Sequence, residues 1–188
     1  MEETEIWSNF KQGSEKDFTF LYRKYAPVLF KYGCKLSPDR DLVKDCLQLV
    51  FFHIWQNREH LSTPVSVKNY LLKALRHEII KKTHPKEILQ DLPEDYHEEV
   101  ALSYESELID FQSEENTKSK IARLMAQLPA RQREVIFLKY YNNLSYEEIA
   151  GIMGIEQDSV YKLTYKALEK LQKLFAVVVL FLSILPYR

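Results

Sequence analysis

The chain has 188 residues, a formal charge of −1 and 46% hydrophobic residues, enough apolar material for one large domain or two small ones. Four glycines and seven prolines argue against an all-β architecture, and long runs at helical period predict an all-α protein. Two cysteines, Cys34 and Cys46, exclude a disulfide framework and read as small core residues. No HExxH or Cys/His ligand spacing, Gly-rich phosphate loop or nucleophile elbow is present, so neither a metal, a cofactor nor a catalytic site is expected. The N-terminal Met-Glu-Glu-Thr-Glu lacks the apolar run of a signal peptide, which predicts a reduced, cytoplasmic protein.

In chain order, residues 15–36 place Phe18, Leu21, Tyr22, Tyr25, Leu29 and Tyr32 or Gly33 at helical spacing, with Pro27 expected to kink or break the helix. A second helix, about 40–57, turns Val43, Leu47, Val50 and Ile54 inward. Its other side carries Asp45, Gln48 and Phe52 at i, i+3 and i+7, an acidic and aromatic stripe. Ser62-Thr63-Pro64 ends the connection to a third helix, about 65–82. There Leu72, Leu75 and Ile79 form the apolar stripe, and Lys73, Arg76, His77 and Lys81 lie on another face near Tyr70. A basic helical face beside an aromatic suits contact with a nucleic-acid strand, although such a face alone is more often plain solvated surface.

The near-neutral charge conceals a strong segregation. Residues 87–117 hold eleven Asp/Glu and no Lys or Arg, whereas 1–86 hold 15 Lys+Arg against 10 Asp+Glu, and 118–188 hold 11 against 6. Two basic modules joined by an acidic segment follow from that pattern. The expected division is a helical module over 1–84, an acidic linker over 85–117 with one short helix around 104–111, a helix-turn-helix module over 118–175 and an apolar tail over 176–188.

The second module carries the densest local signals. A helix beginning near Leu128 is followed by Ser145 and Glu148, spaced as a capping box, and by the apolar Ile149, Ala150 and Ile152. Gly154 stands where the chain must turn, and Asp158 favours the start of a further helix. On that helix Val160, Leu163, Ala167, Leu168 and Leu171 are expected inside, with Tyr161, Lys162, Tyr165, Lys166 and Glu169 outside. A helix-turn-helix lays its second helix in the DNA major groove. Lysine there can neutralise a phosphate or donate to guanine O6/N7, and tyrosine can bond a phosphate or pack on a thymine methyl. The apolar run 174–185 falls short of the ~20 residues needed to span a bilayer. It predicts a helix extension or a docking strip rather than a stable membrane span.

Taken together, the two modules resemble an extracytoplasmic-function (ECF) sigma factor of bacterial RNA polymerase, within the sigma-70 family. The resemblance covers roughly 10–83 and 118–173. Asp45-Cys-Leu-Gln-Leu-Val-Phe-Phe-His-Ile-Trp55 is similar to the family's Asp-Leu-Val-Gln-Glu-Val-Phe-x-x-Leu-Trp signature, with Leu49 in place of its acidic residue. That resemblance implies that Asp45, Gln48, Leu49 and Phe52 meet the β′ clamp of core polymerase, with the β flap a second polymerase contact. It implies that Tyr70, Lys73, Arg76, His77 and Lys81 meet the −10 element, and that the loop Glu59–Ser66 captures a base flipped from the non-template strand. Tyr161, Lys162, Tyr165 and Lys166 then occupy the −35 reading positions, where a basic residue is more usual at 161. The acidic linker would thread toward basic polymerase channels, and an anti-sigma factor becomes an expected partner. The competing readings are a stand-alone helix-turn-helix regulator and a helical adaptor that works through its tail.

Overall fold

The computed structural model describes residues 3–83 and 124–184, with side chains through Leu174. The acidic linker, its expected helix around 104–111 and the side chains of the apolar tail lie outside the described residues. Every regular element among the described residues is helical. Among the described residues, backbone proximity groups 3–83 with 147–155 in one compact unit and 124–146 with 156–184 in another.

In the first unit, α1 (Glu3–Lys11) ends at Gly13, whose φ of +95° is a conformation open to glycine, and Ser14 caps the next helix. The Ser14 hydroxyl accepts from the Asp17 N–H at 3.3 Å and donates to the Asp17 carboxylate at 2.6 Å. From that cap α2 (Glu15–Leu36) runs through Pro27 without a break, the stronger of the two expected outcomes. Pro27 sits on the exposed side, where water can hydrate the Arg23 carbonyl that the missing N–H leaves open. Asp39 caps α3 (Arg40–Gln56), its Oδ1 accepting from the Asp41 and Leu42 N–H groups at 3.0 Å. After one 3₁₀ turn, Arg58–His60, α4 spans Val67–Thr83. It begins two residues later than expected because Ser66 takes the cap, its hydroxyl accepting from Asn69 N–H at 3.2 Å.

The three long helices pack pairwise around Leu21, Leu29, Tyr32, Val43, Cys46, Leu71, Leu72, Leu75 and Ile79, each at most 1% exposed. Cys46 is a core residue as expected, while Cys34 is only partly covered. Gly33 is the point of closest approach: a Cβ there would lie 2.5 Å from Val43 Cγ1 and 3.2 Å from Ile79 Cδ1. The sequence reading missed α1. It packs on α2 and buries Ile6, Trp7 and Phe10, so residues 3–83 form four α-helices rather than three. Glu3 accepts hydrogen bonds from Lys24 Nζ at 2.8 Å and from the Tyr25 hydroxyl. Burial tends to raise the Glu3 pKa, but those two donors and the Lys24 charge hold it below its ordinary value. Burial and the adjacent Glu3 carboxylate push the Tyr25 phenol well above its usual range.

In the second unit, α5 (Ala130–Ile136) widens over Phe137–Tyr141, where Asn142 N–H reaches back five residues to the Phe137 carbonyl at 3.1 Å. Asn143 then adopts φ of +56°, which asparagine tolerates better than most residues. α5 packs on α7 (Gln157–Ile184), with Val135 and Leu138 fully buried. Arg133 lies partly within that packing, where burial lowers its pKa and its Nη2 donates to the Leu128 carbonyl at 3.0 Å.

Candidate nucleic-acid interface

The first unit presents two distinct faces. On α3, whose inner side supplies Val43, Cys46 and Val50 to the core, Asp45 and Gln48 are exposed, Phe52 is 55% exposed and Leu49 half-buried. Helical geometry at 100° per residue puts these four within about a quarter turn or slightly more. A largely uncovered phenylalanine next to a carboxylate and an amide can dock on a basic, partly apolar partner.

On α4 the buried stripe is Val67, Leu71, Leu72, Leu75 and Ile79. Lys73, His77 and Lys81 are exposed on the opposite side, so the expected basic face exists. Two of its members are less open than the sequence suggests. Arg76 is half-buried at the flank of the face, next to the packed side of the helix. Tyr70 is half-buried because its ring meets Trp7 edge-on, centroids 5.7 Å apart, and that burial raises its phenol pKa.

Trp7 is the residue the sequence reading missed here. Its indole N–H donates to the Ser62 carbonyl at 3.3 Å, tying α1 to the loop ahead of α4. An open cavity of about 310 Å³ lies between them, walled by Glu3, Thr4, Trp7, Thr63, Pro64 and Val65. Val65 is fully exposed at its rim. From Trp7 the rings continue through Phe10 at 5.1 Å and Phe18 at 5.9 Å to Trp55 at 4.8 Å, under which Arg58 stacks at 4.8 Å. The available signal was Trp7 and Phe10 at i, i+3, followed by Gly13 and the cap at Ser14.

In the helix-turn-helix, α6 (Tyr146–Met153) buries Ile149, Ile152 and Met153 and closes at Gly154, φ +67°. The Gly154 and Ile155 N–H groups both donate to the Ala150 carbonyl, at 2.8 and 3.2 Å. No atom lies within 4 Å of where a Gly154 Cβ would stand, so the backbone angle and not crowding calls for glycine. On α7, Ser159, Val160, Thr164 and Ala167 are buried, with Leu163 and Leu171 half-covered. Leu168 was expected inside and is instead 42% exposed. Thr164 takes the inward register because its hydroxyl can donate to the Val160 carbonyl at 2.8 Å. Ala167 fills the slot beside it, which leaves Leu168 a further 100° round the helix.

Tyr161 (47% exposed), Lys162, Tyr165 (71%) and Lys166 share the open side of α7, as the spacing predicted. The Tyr161 ring lies against that of Tyr146, centroids 4.1 Å apart, and Lys139 Nζ sits 4.5 Å from the Tyr146 ring centre. Among the described residues no group of His, Cys, Asp or Glu is arranged to hold a metal ion, and no helix is long and apolar enough to cross a membrane.

A basic face on α4 in one unit and a lysine- and tyrosine-bearing face on α7 in the other define a bipartite DNA-binding protein. Residues 21–83 match the family model for sigma-70 region 2, and residues 118–171 match that for sigma-70 region 4. The ECF RNA polymerase sigma factor SigM of Bacillus subtilis is 22% identical over 157 residues, 82% of this chain and 93% of that one. The ECF sigma factor SigL of Mycobacterium tuberculosis is 25% identical over 158 residues, 81% of this chain and 85% of that one. A solved structure of the sigma factor RpoE with the anti-sigma factor NepR from Bartonella quintana has the same fold. Its TM-score is 0.61 at 24% identity, over 86% of this chain and 98% of that one. The chain belongs to the sigma-70 family of RNA polymerase sigma factors, in its ECF group. It directs core RNA polymerase to promoters and serves in transcription initiation, and the match of region 2 over the first unit excludes a stand-alone regulator.

Proposed function

We propose a division of labour among the exposed faces. Asp45, Gln48, Leu49 and Phe52 dock on the β′ clamp, the second module rests on the β flap, and the protein itself catalyses no reaction. Tyr70, Lys73, Arg76, His77 and Lys81 meet the −10 element. The loop Glu59–Ser66 takes up a base extruded from the non-template strand, an extrusion that costs a few kcal/mol of stacking and needs a shaped receptacle. Tyr161, Lys162, Tyr165 and Lys166 meet the −35 element in the major groove.

One observation carries the reading. Asp45, Gln48 and Phe52 on α3, Lys73, His77 and Lys81 on α4, and Tyr161, Lys162, Tyr165 and Lys166 on α7 are exposed, while neighbours on each helix are buried. The open cavity against the loop ahead of α4 supports base capture there. The module boundaries at 1–84, 85–117, 118–175 and 176–188 form part of the proposal. So does passage of the acidic 85–117 segment into a basic polymerase channel, where its eleven carboxylates would find complementary charge. By extension from the relative solved with its anti-sigma factor, an anti-sigma partner is proposed for this chain. A cytoplasmic location, where core polymerase acts, belongs to the same proposal.

Reconstitution tests the whole reading. The full chain with cognate core polymerase should give run-off transcripts with discrete starts from a genomic promoter pool. Starts no different from those of core polymerase alone would reject it.

A further inference from the structure

We propose that this chain reads thymines of its −35 element through their 5-methyl groups, with Tyr161 and Tyr165 as the apolar readers and Tyr146 as the residue that positions Tyr161. The proposal rests on α7 contacting the −35 element and adds the chemistry by which it does so.

The face of α7 is unusual in its composition. Lys162 and Lys166 supply charge, which phosphates attract wherever they lie. The other two members of the face are aromatic rings one helical turn apart, 47% and 71% exposed, and Leu168 continues the same stripe at 42%. Apart from its hydroxyl, a tyrosine ring has nothing to donate to guanine or accept from cytosine. The thymine 5-methyl is the apolar feature that the major groove displays, so a tyrosine stripe laid there can distinguish base pairs by covering or failing to cover that methyl.

Tyr161 is also held before any DNA arrives. Its ring packs on Tyr146 with centroids 4.1 Å apart and planes inclined by 36°. The other member of that stack, Lys139, sits 4.5 Å from the Tyr146 ring centre and is tethered by donating to the Leu144 carbonyl at 3.1 Å. Lys139 reaches this position from the wide turn at Phe137–Tyr141. A ring fixed in advance loses less side-chain freedom on binding and discriminates more sharply than a free one. Tyr165, at 71% exposure, has no such support and should read less strictly.

Replacing single thymines by uracil tests this, because uracil lacks the methyl and keeps every hydrogen-bonding group. The full chain is assembled with core polymerase on its mapped promoter, and each −35 thymine on either strand is changed in turn. Binding should weaken about three- to fivefold at one or two positions, the effect of one buried methyl. In Tyr161→Ala or Tyr165→Ala the thymine-over-uracil ratio at the matching position should fall to one, while Tyr161→Phe should keep it. Tyr146→Ala should lower that ratio, whereas a merely structural role would weaken both templates equally and leave it unchanged. If base-pair changes in the −35 element matter and uracil does not, methyl reading is wrong and the α7 assignment stands. If neither matters, the assignment of α7 itself fails. Loss of the ratio in Tyr161→Phe would assign the contact to the hydroxyl and overturn the proposal, as would a −35 element without thymine.

Discussion

Phe52 on α3 offers a sharp test of how the first unit grips polymerase. It is 55% exposed in a helix whose neighbouring Val50 and Phe51 are 2% and 3% exposed, so it contributes little to folding. A phenylalanine side chain can bury roughly 200 Å², so about 110 Å² remains uncovered here, worth about 2.7 kcal/mol at ~25 cal/mol per Å² if a partner covers all of it. That is a ceiling of ~100-fold in affinity, and after ordering costs a loss of roughly tenfold is expected for Phe52→Ala. The assay is equilibrium competition for core polymerase against a labelled reference sigma factor, with thermal unfolding of the free variant run in parallel. Unfolding should move by no more than about 3 °C, as befits a loss well under 1 kcal/mol. Asp45→Ala and Gln48→Ala should weaken binding in the same assay without unfolding the first unit. Undiminished affinity in Phe52→Ala would show that α3 does not dock through this face. A large fall in unfolding temperature would show that Phe52 is part of the core.

Other expectations are more local. Gly33→Ala should destabilise the first unit by ~1–3 kcal/mol in urea unfolding, because its Cβ would meet Val43 at 2.5 Å across packed helices. Gly151→Ala meets nothing within 4 Å on α6 and should instead stabilise by ~0.5–1 kcal/mol. Glu3 has a pKa below its ordinary 4.5 in the folded chain, so it adds stability that is present above that value and lost as the pH falls through the folded pKa. Glu3→Gln should therefore unfold earlier than the parent at neutral pH and equally early in strong acid, measured by thermal melts across pH 2–7. Lys162→Ala should weaken −35-dependent initiation by ~1–3 kcal/mol, read as the ratio of transcription from intact and −35-mutated templates.

Much of the fold was legible where local chemistry and periodicity agreed. Gly154, the apolar run Ile149 to Met153 and the outward Tyr161, Lys162, Tyr165 and Lys166 announced the helix-turn-helix, and the structure gives the same turn and the same exposed face. What escaped depended on tertiary context. Nine residues of α1 show too little periodicity to separate from an acidic tail, and only packing against α2 reveals Trp7 and Phe10 as core. Pro27 could not be told from a helix break without knowing that its side faces water. Leu168, expected inside, is exposed while Thr164 is buried, because a hydroxyl satisfied on its own backbone is as easily buried as a leucine. The exposure of Asp45, Gln48 and Phe52 was readable from spacing, whereas the half-burial of Tyr70 and Arg76 depended on α1 and on helix packing.

Bound to polymerase, one chain holds a promoter at two separated points. Photo-crosslinkers placed singly at positions 77 and 162 of the full chain, in holoenzyme on a mapped promoter, test it most directly. The group at 77 should label the non-template strand at the −10 element and the group at 162 the duplex at the −35 element, both far more strongly with core polymerase than without. Labelling of a single region from both positions, or equal labelling in the absence of core, would show that the chain does not hold the promoter at two points.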